Sequence, residues 1–251
     1  MQMVKKFIPA SLKLWYTINK RRYRDLFNGN HKKFAGQFAK RDGLFPIVTI
    51  EQPIRLNELA ENKIHNIRLA INKLDHIIIE PGKLFSFWQL VGDPSEKNGY
   101  KKSRSIIAGE METTIGGGLC QLSGLIYFLA LKAGLTITER HAHSLDIYTE
   151  SERFTPLGSD ATVAYGYKDL RFINPHKFVV CFSFQLTQTS LKGTVSATER
   201  TAPCTIEFEC KKNDTCTDVT TINKVNGETV VIDRSRYGLY LPAKPTDQNN
   251  S

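Results

Sequence analysis

The chain has 251 residues and a mass of 28.4 kDa, enough for one domain or two small ones with a real core. Apolar residues make up 41% and charged residues 24%, which excludes wholesale disorder. No apolar run approaches the roughly 18 residues of a membrane-spanning helix. The net charge of +9 is local: residues 1–42 hold eleven Lys or Arg against Asp25 and Asp42 alone, while residues 43–251 carry 23 of each sign. A body that sums to zero argues against a nucleic-acid enzyme, whose cleft has to track a phosphate backbone.

Residues 1–42 form a basic helical segment. Pro9 can open a helix on which Ile8, Leu12, Trp15, Tyr16 and Asn19 share one face. Two readings of it stand. With Lys20-Arg21-Arg22 the segment could lie on an anionic membrane through residues 1–24, or it could pack on its own domain with its charges solvated. Lys13 interrupts any apolar region and no small-residue cleavage site follows, so a secretory signal is not expected. The location expected from sequence is therefore cytoplasmic or membrane-peripheral.

Residues 43–241 read as a single α+β domain, with helices early and a mostly antiparallel sheet later. Periodic apolar positions predict a helix over 56–74, with Asn57 and Glu61 at its start. His76 to Glu80 predicts a short buried strand closed by the Pro81-Gly82 turn. Residues 84–91 are aromatic-rich, and a polar loop follows through Gly99-Tyr100. Later strands are expected at 136–140, 144–149, 161–167, 177–187, 190–198, 205–210 and 225–233. Residues 242–251 form a polar tail.

The stretch that carries chemistry is Gly116-Gly117-Gly118-Leu119-Cys120-Gln121, running into the apolar positions Leu122, Leu125, Ile126, Leu129 and Ala133 with Gly134 at the end. That pattern puts Cys120 at a helix N-terminus, where free N–H groups and the helix dipole favour a thiolate. The backbone of Gly117, Gly118, Leu119 and Cys120 can face a developing oxyanion. On a strand, His141 and His143 would share a face and either could take the thiol proton. Asp146, Asp160 and Asp169 are the carboxylates available to orient an imidazole. Cys120 as a small core residue and Gly-Gly-Gly as a plain turn are the competing readings. The five cysteines contain no C-x-x-C pair, so neither a zinc site nor any other metal or cofactor is expected. Cys210 and Cys216 could face each other across a hairpin, with reduced thiols the default.

Several separated blocks resemble the VanW family: Pro81-Gly-Lys-Leu-Phe85-Ser, Val91-Gly92, Gly99-Tyr100, Gly116-Gly-Gly-Leu-Cys120-Gln121, Glu139-Arg140 with His143-Ser144, Asp160-Ala-Thr-Val163 and Asp169-Leu-Arg-Phe172-Ile-Asn174. They fall in the family's order, making residues 80–175 the motif core and 176–241 a β-rich remainder. The family is named for an accessory protein of vancomycin-resistance clusters. Its larger members carry a membrane anchor and peptidoglycan-binding modules and are linked to cysteine-dependent L,D-transpeptidation. The resemblance maps the family cysteine on Cys120 and the family histidine on His143, with His141 outside the pattern. An anchor helix and a binding module are not evident in this sequence.

Together these readings predict a cysteine acyl-transferase for peptidoglycan stem peptides or precursors. Cys120 would be the nucleophile, His143 the base and Asp160 its orienter, with Gln121, Tyr100, Trp88 and Ser144 binding substrate. The alternative is a non-catalytic accessory protein of vancomycin resistance that binds cell-wall precursor or a partner enzyme, with Phe85, Phe87, Trp88 and Tyr100 lining its groove.

Overall fold

The computed structural model describes residues 9–38, 42–55, 58–107, 110–146, 153–225 and 227–239. Residues 1–8, Asn57, 147–149 and 242–251, on which parts of the sequence reading fall, lie outside that set.

The core is organised by one helix, α4 (Leu119–Lys132), which is apolar on every face: Leu122, Leu125, Ile126, Tyr127 and Leu129 have no exposed surface. Full burial of each leucine or isoleucine contributes about 2 kcal/mol, so a helix of this composition needs protein all round it. It ends as the sequence predicts. Gly134 takes φ +70° and donates its N–H to Leu131 O, while Leu135 donates to Ala130 O, the paired bonds of a Schellman stop.

Against α4 lies a five-stranded antiparallel sheet of order β1-β3-β10-β11-β2, formed by β1 (Gln37–Phe38), β2 (Phe45–Pro53), β3 (Ile77–Ile79), β10 (Val180–Leu186) and β11 (Ser190–Ala197). Helix α2 (Ala60–Ile71) packs on α4 with Ile64, Ile67 and Ala70 buried. It is shorter than the 56–74 expectation. Three further sheets complete the architecture. The first is the triplet β4-β9-β7 of β4 (Leu84–Ser86), β9 (Arg171–Ile173) and β7 (Thr136–Glu139). The second is the hairpin of β5 (Lys102–Ile107) and β6 (Glu110–Ile115). The third is a meander of β12 (Thr205–Lys212), β13 (Cys216–Val225) and β14 (Glu228–Leu239), to which β8 (Leu145–Asp146) adds a parallel edge. The α+β class and its largely antiparallel pairing are as the sequence predicts. A short helix, α3 (Phe87–Val91), carries the aromatic-rich segment and is capped by Ser86 Oγ, which accepts from Gln89 N–H.

Three local expectations are corrected. Residues 161–167 form no strand but a loop laid on α4, where Ser123 Oγ donates to Ala161 O at 2.6 Å and Thr162 N–H donates to His141 O. Its apolar residues bury against a helix rather than in a ladder. The expected strand 225–233 straddles a turn: Val225 pairs with Glu228, and the whole of β13 precedes it. Cys210 and Cys216 do not face each other, since Cys210 is opposite Val219 and exposed while Cys216 is opposite Gly238 and buried.

Helix α1 (Ala10–Phe27) is fastened to this body by charge. Arg21 makes two bonds to Glu139, at 2.7 and 3.0 Å, and donates to Tyr167 O. On the next turn Asp25 accepts two bonds from Arg171, at 2.7 and 3.0 Å. Arg171 also donates to Asp169, which accepts in turn from Ser86 Oγ at 2.6 Å. Bidentate pairs of this kind fix direction as well as distance. Burial would push the Glu139 carboxyl up, but Arg21 and His141 bond to it and hold it down to about 2, against an ordinary 4.5. Its folded value lies below its unfolded one, so its stabilisation is complete above about pH 4.5 and is lost as pH falls through about 2. The urea midpoint of Glu139→Gln should therefore fall less than that of the wild type between those two pH values; parallel acid limbs would contradict this.

Candidate active site

The glycine turn after β6 exists to bring two backbones together. A Cβ on Gly117 would lie 2.4 Å from Ser103 O on β5, and Gly118, the N-cap of α4, sits at φ +99°. Neither position accepts another residue without moving the hairpin or straining the chain. Cys120 follows as the second residue of the helix, its Sγ 3.8 Å from Val163 O.

One turn further on, Gly124 lets the 158–163 loop lie close, its ideal Cβ meeting Asp160 Cα at 3.6 Å. This delivers Asp160 to the Cys120 end of the helix. Asp160 Oδ2 accepts from His143 twice, from the backbone N–H at 2.8 Å and from Nδ1 at 2.7 Å. With Nδ1–H committed to the carboxylate, Nε2 remains available, and the imidazole and the Cys120 thiol shift each other's titration. Cys120, His143 and Asp160, far apart in sequence, are thus brought to one place.

Electrostatics sharpen it. Burial would push the imidazole down, yet its bonds to Asp160 and then Cys120 raise it from 6.5 to about 10. Burial would likewise push the thiol up, but the hydrogen bond and charge of His143 outweigh it and hold the thiol below its ordinary 9.0. Asp160 stays well below the usual carboxylate range: against burial stand His143 and the charge of Arg140. A thiolate–imidazolium pair is the state these shifts favour.

Sequence reasoning assigned no part to the groups that hold Asp160. Arg140, whose side chain is 3% exposed, donates to Asp160 O at 2.8 Å, to Asp160 Oδ1 at 3.0 Å and to Gly158 O at 3.0 Å. It also bonds Asp233, Ser235 and Tyr237 of β14, and lies 4.9 Å above the Tyr127 ring. Tyr237 O–H donates to Asp160 Oδ1 at 2.5 Å. Arg140 was visible only as the neighbour of Glu139, and no local pattern marks Tyr237.

The three residues line a cleft of about 820 Å³. Trp88, Gln121 and Ser144 line it too. Trp88 is anchored by Nε1–H to Lys168 O at 2.7 Å and meets Tyr165 edge-on. Gln121 donates to Pro53 O at 3.0 Å, while its Oε1, like Thr162 Oγ1, is buried without a partner among the described residues. Tyr100 is a correction: it is 2% exposed, packed in the core with Lys73 over its ring, and away from the cleft. Phe85 and Phe87 are core residues as well, so the aromatic groove of the binding-protein reading reduces to Trp88. His141 departs from His143 because β7 ends at Glu139, and its Nε2 bonds Glu139 in the separate cluster under α1. Asp169 belongs to that cluster, and Asp146 pairs with Arg153 at 2.7 Å.

The oxyanion assignment also changes. Gly117 donates its N–H to Thr114 O and Leu119 to Gly116 O, so two of the four named groups are engaged. Among the described residues Gly118 and Cys120 have no backbone acceptor for theirs.

What the fold and the cleft define is an α+β domain presenting a Cys-His-Asp chain at a helix N-terminus. The family model for VanW like protein matches residues 62–196, more than half of the sequence, and the chain belongs to the VanW family. It is 37% identical over 114 residues to the Vancomycin B-type resistance protein VanW of Enterococcus faecalis (strain ATCC 700802 / V583), covering 45% of this chain and 42% of that protein. It is also 37% identical over 120 residues to the uncharacterized protein YoaR of Bacillus subtilis (strain 168), covering 48% and 38%. The chain thus spans less than half the length of either relative. No solved structure matches it.

Alkylation of Cys120 by iodoacetamide should stay fast well below pH 9.0, with His143→Ala moving the midpoint of the rate profile upward. A profile unchanged by that substitution would dissolve the pair. Arg140→Met, which leaves the partly buried Asp160 without a guanidinium, should cost about 2 kcal/mol in urea unfolding.

Proposed function

We propose that this protein is a cysteine acyl-transferase acting on peptidoglycan stem peptides or their precursors, in the manner of an L,D-transpeptidase. The observation that carries the reading is the hydrogen-bonded His143–Asp160 pair, which lines one open cleft together with Cys120. A buried structural cysteine has no use for an imidazole held by a carboxylate that Arg140 and Tyr237 hold in turn.

Chemically, the Cys120 thiolate adds to the carbonyl carbon of a peptide amide, forming a C–S bond and pushing the carbonyl electrons onto oxygen. The N–H groups of Gly118 and Cys120, which have no backbone acceptor among the described residues, would meet that oxyanion. As it collapses the C–N bond breaks, and the His143 imidazolium gives its proton to the departing amine. An incoming amine then attacks the thioester and its proton passes to His143, which restores the thiolate. Water in its place gives a carboxypeptidase. Asp160 keeps Nδ1–H occupied and holds the ring in register throughout.

The cleft wall favours an anionic donor. Lys63, Arg104 and Lys168 line it beside the Asp146–Arg153 pair, and stem peptides carry free carboxylates. Gln121 Oε1 and Thr162 Oγ1 offer acceptors for peptide N–H groups. The Enterococcus relative is named as a vancomycin B-type resistance protein, and a role in that process is part of the proposal.

Purified wild type should convert disaccharide-tetrapeptide muropeptides to cross-linked or trimmed products. Folded Cys120→Ala should form none, and His143→Ala should lose about 10²-fold to 10⁴-fold in rate. Cys120→Ala turning over at the wild-type rate would end the assignment. Calorimetric binding of muropeptide by a wild type that never turns it over would move the protein to the non-catalytic accessory class.

A further inference from the structure

Helix α1 divides its surface in two. Leu14, Thr17, Ile18, Arg21 and Asp25 face the body: Leu14, Thr17 and Ile18 crowd Gly166, Arg21 bonds Glu139, and Asp25 bonds Arg171. The opposite side carries Leu12, Trp15, Tyr16, Tyr23, Leu26 and Phe27, every one more than half exposed and Phe27 88% exposed. At 100° per residue these six fall within about 120° of one another, an apolar stripe interrupted by Asn19. Single exposed apolar side chains need no explanation, but six on one face of a helix do.

Charge indicates what meets the row. Asp25 is the sole carboxylate of α1 and is turned inward to Arg171. The flanks of the stripe carry Lys13, Lys20, Arg22 and Arg24. Trp and Tyr with cations alongside suit the headgroup level of a bilayer, where rings sit at the acyl boundary and ammonium groups meet phosphate. No described helix is long and apolar enough to cross a membrane, so the helix would lie flat.

We propose that the outer face of α1 docks this protein on an anionic lipid surface, with the two arginine–carboxylate pairs setting the angle of the body above it. The inner face of the same helix rests on residues 164–168, and Ala164, Tyr165 and Lys168 line the cleft. Docking would therefore bring the cleft beside the membrane. The proposal does not depend on Cys120 being catalytic.

The test is co-sedimentation of the full chain with phosphatidylcholine vesicles, with and without phosphatidylglycerol. Wild type should pellet with the anionic vesicles and be released by salt. The triple variant Trp15→Ser, Tyr23→Ser, Phe27→Ser, folded by circular dichroism, should remain in solution. Lys13→Gln and Lys20→Gln should each weaken binding about fivefold. Equal pelleting of wild type and triple variant would overturn the proposal, as would absence of binding by the wild type. A lipid-independent wild-type dimer that the triple variant dissolves would instead give the stripe to a second copy of the chain and overturn it too.

Discussion

A carboxylate removed from water has to be answered by hydrogen bonds and opposite charge, and in this protein the answer to Asp160 is assembled from the whole chain. Its two oxygens and its carbonyl are met by His143, Arg140 and Tyr237. Those partners come from the segment after β7 and from the last strand, and the loop bearing Asp160 is itself pinned to α4 by Ser123. Leaving any one group unmatched in such a setting costs several kcal/mol, so helix, loop and terminal meander are held in one arrangement. The position of Nδ1, and with it the orientation of the His143 ring, is a by-product of satisfying that charge.

Residues 139–143 show how a short stretch serves two networks. Glu139 and His141 turn toward α1, where Arg21 waits, whereas Arg140 and His143 turn toward Asp160. The split follows from strand geometry up to Glu139 and from the end of the ladder thereafter. The basic helix α1 and the cleft that holds the cysteine are thereby joined through four side chains of one five-residue stretch.

The helix bearing Cys120 was legible because its signals are local: glycines before it, an unbroken apolar run and a glycine stop. His143 and Asp160 were legible as residue types whose chemistry suits a thiol, though nothing in the spacing brought them together. Tyr100 and Phe87 misled because an aromatic residue near a polar loop reads alike whether it lines a groove or fills a core. β13 escaped because Thr217 and Thr221 are buried in a strand whose composition looks solvent-facing. Its turn was nonetheless written in the sequence: Asn226-Gly227 joins Val225 to Glu228, and Asn-Gly is the strongest short hairpin signal. Arg140 and Tyr237 had no such sign, since their roles arise only from the long-range return of β14.

That return has an evolutionary consequence. The region shared with the family ends at residue 196, while Asp233, Ser235 and Tyr237 sit well beyond it on β14. Cys120, His143 and Asp160 thus lie within the matched region, and part of the scaffold that braces Asp160 lies beyond it. A relative without this meander must brace the equivalent aspartate by other means.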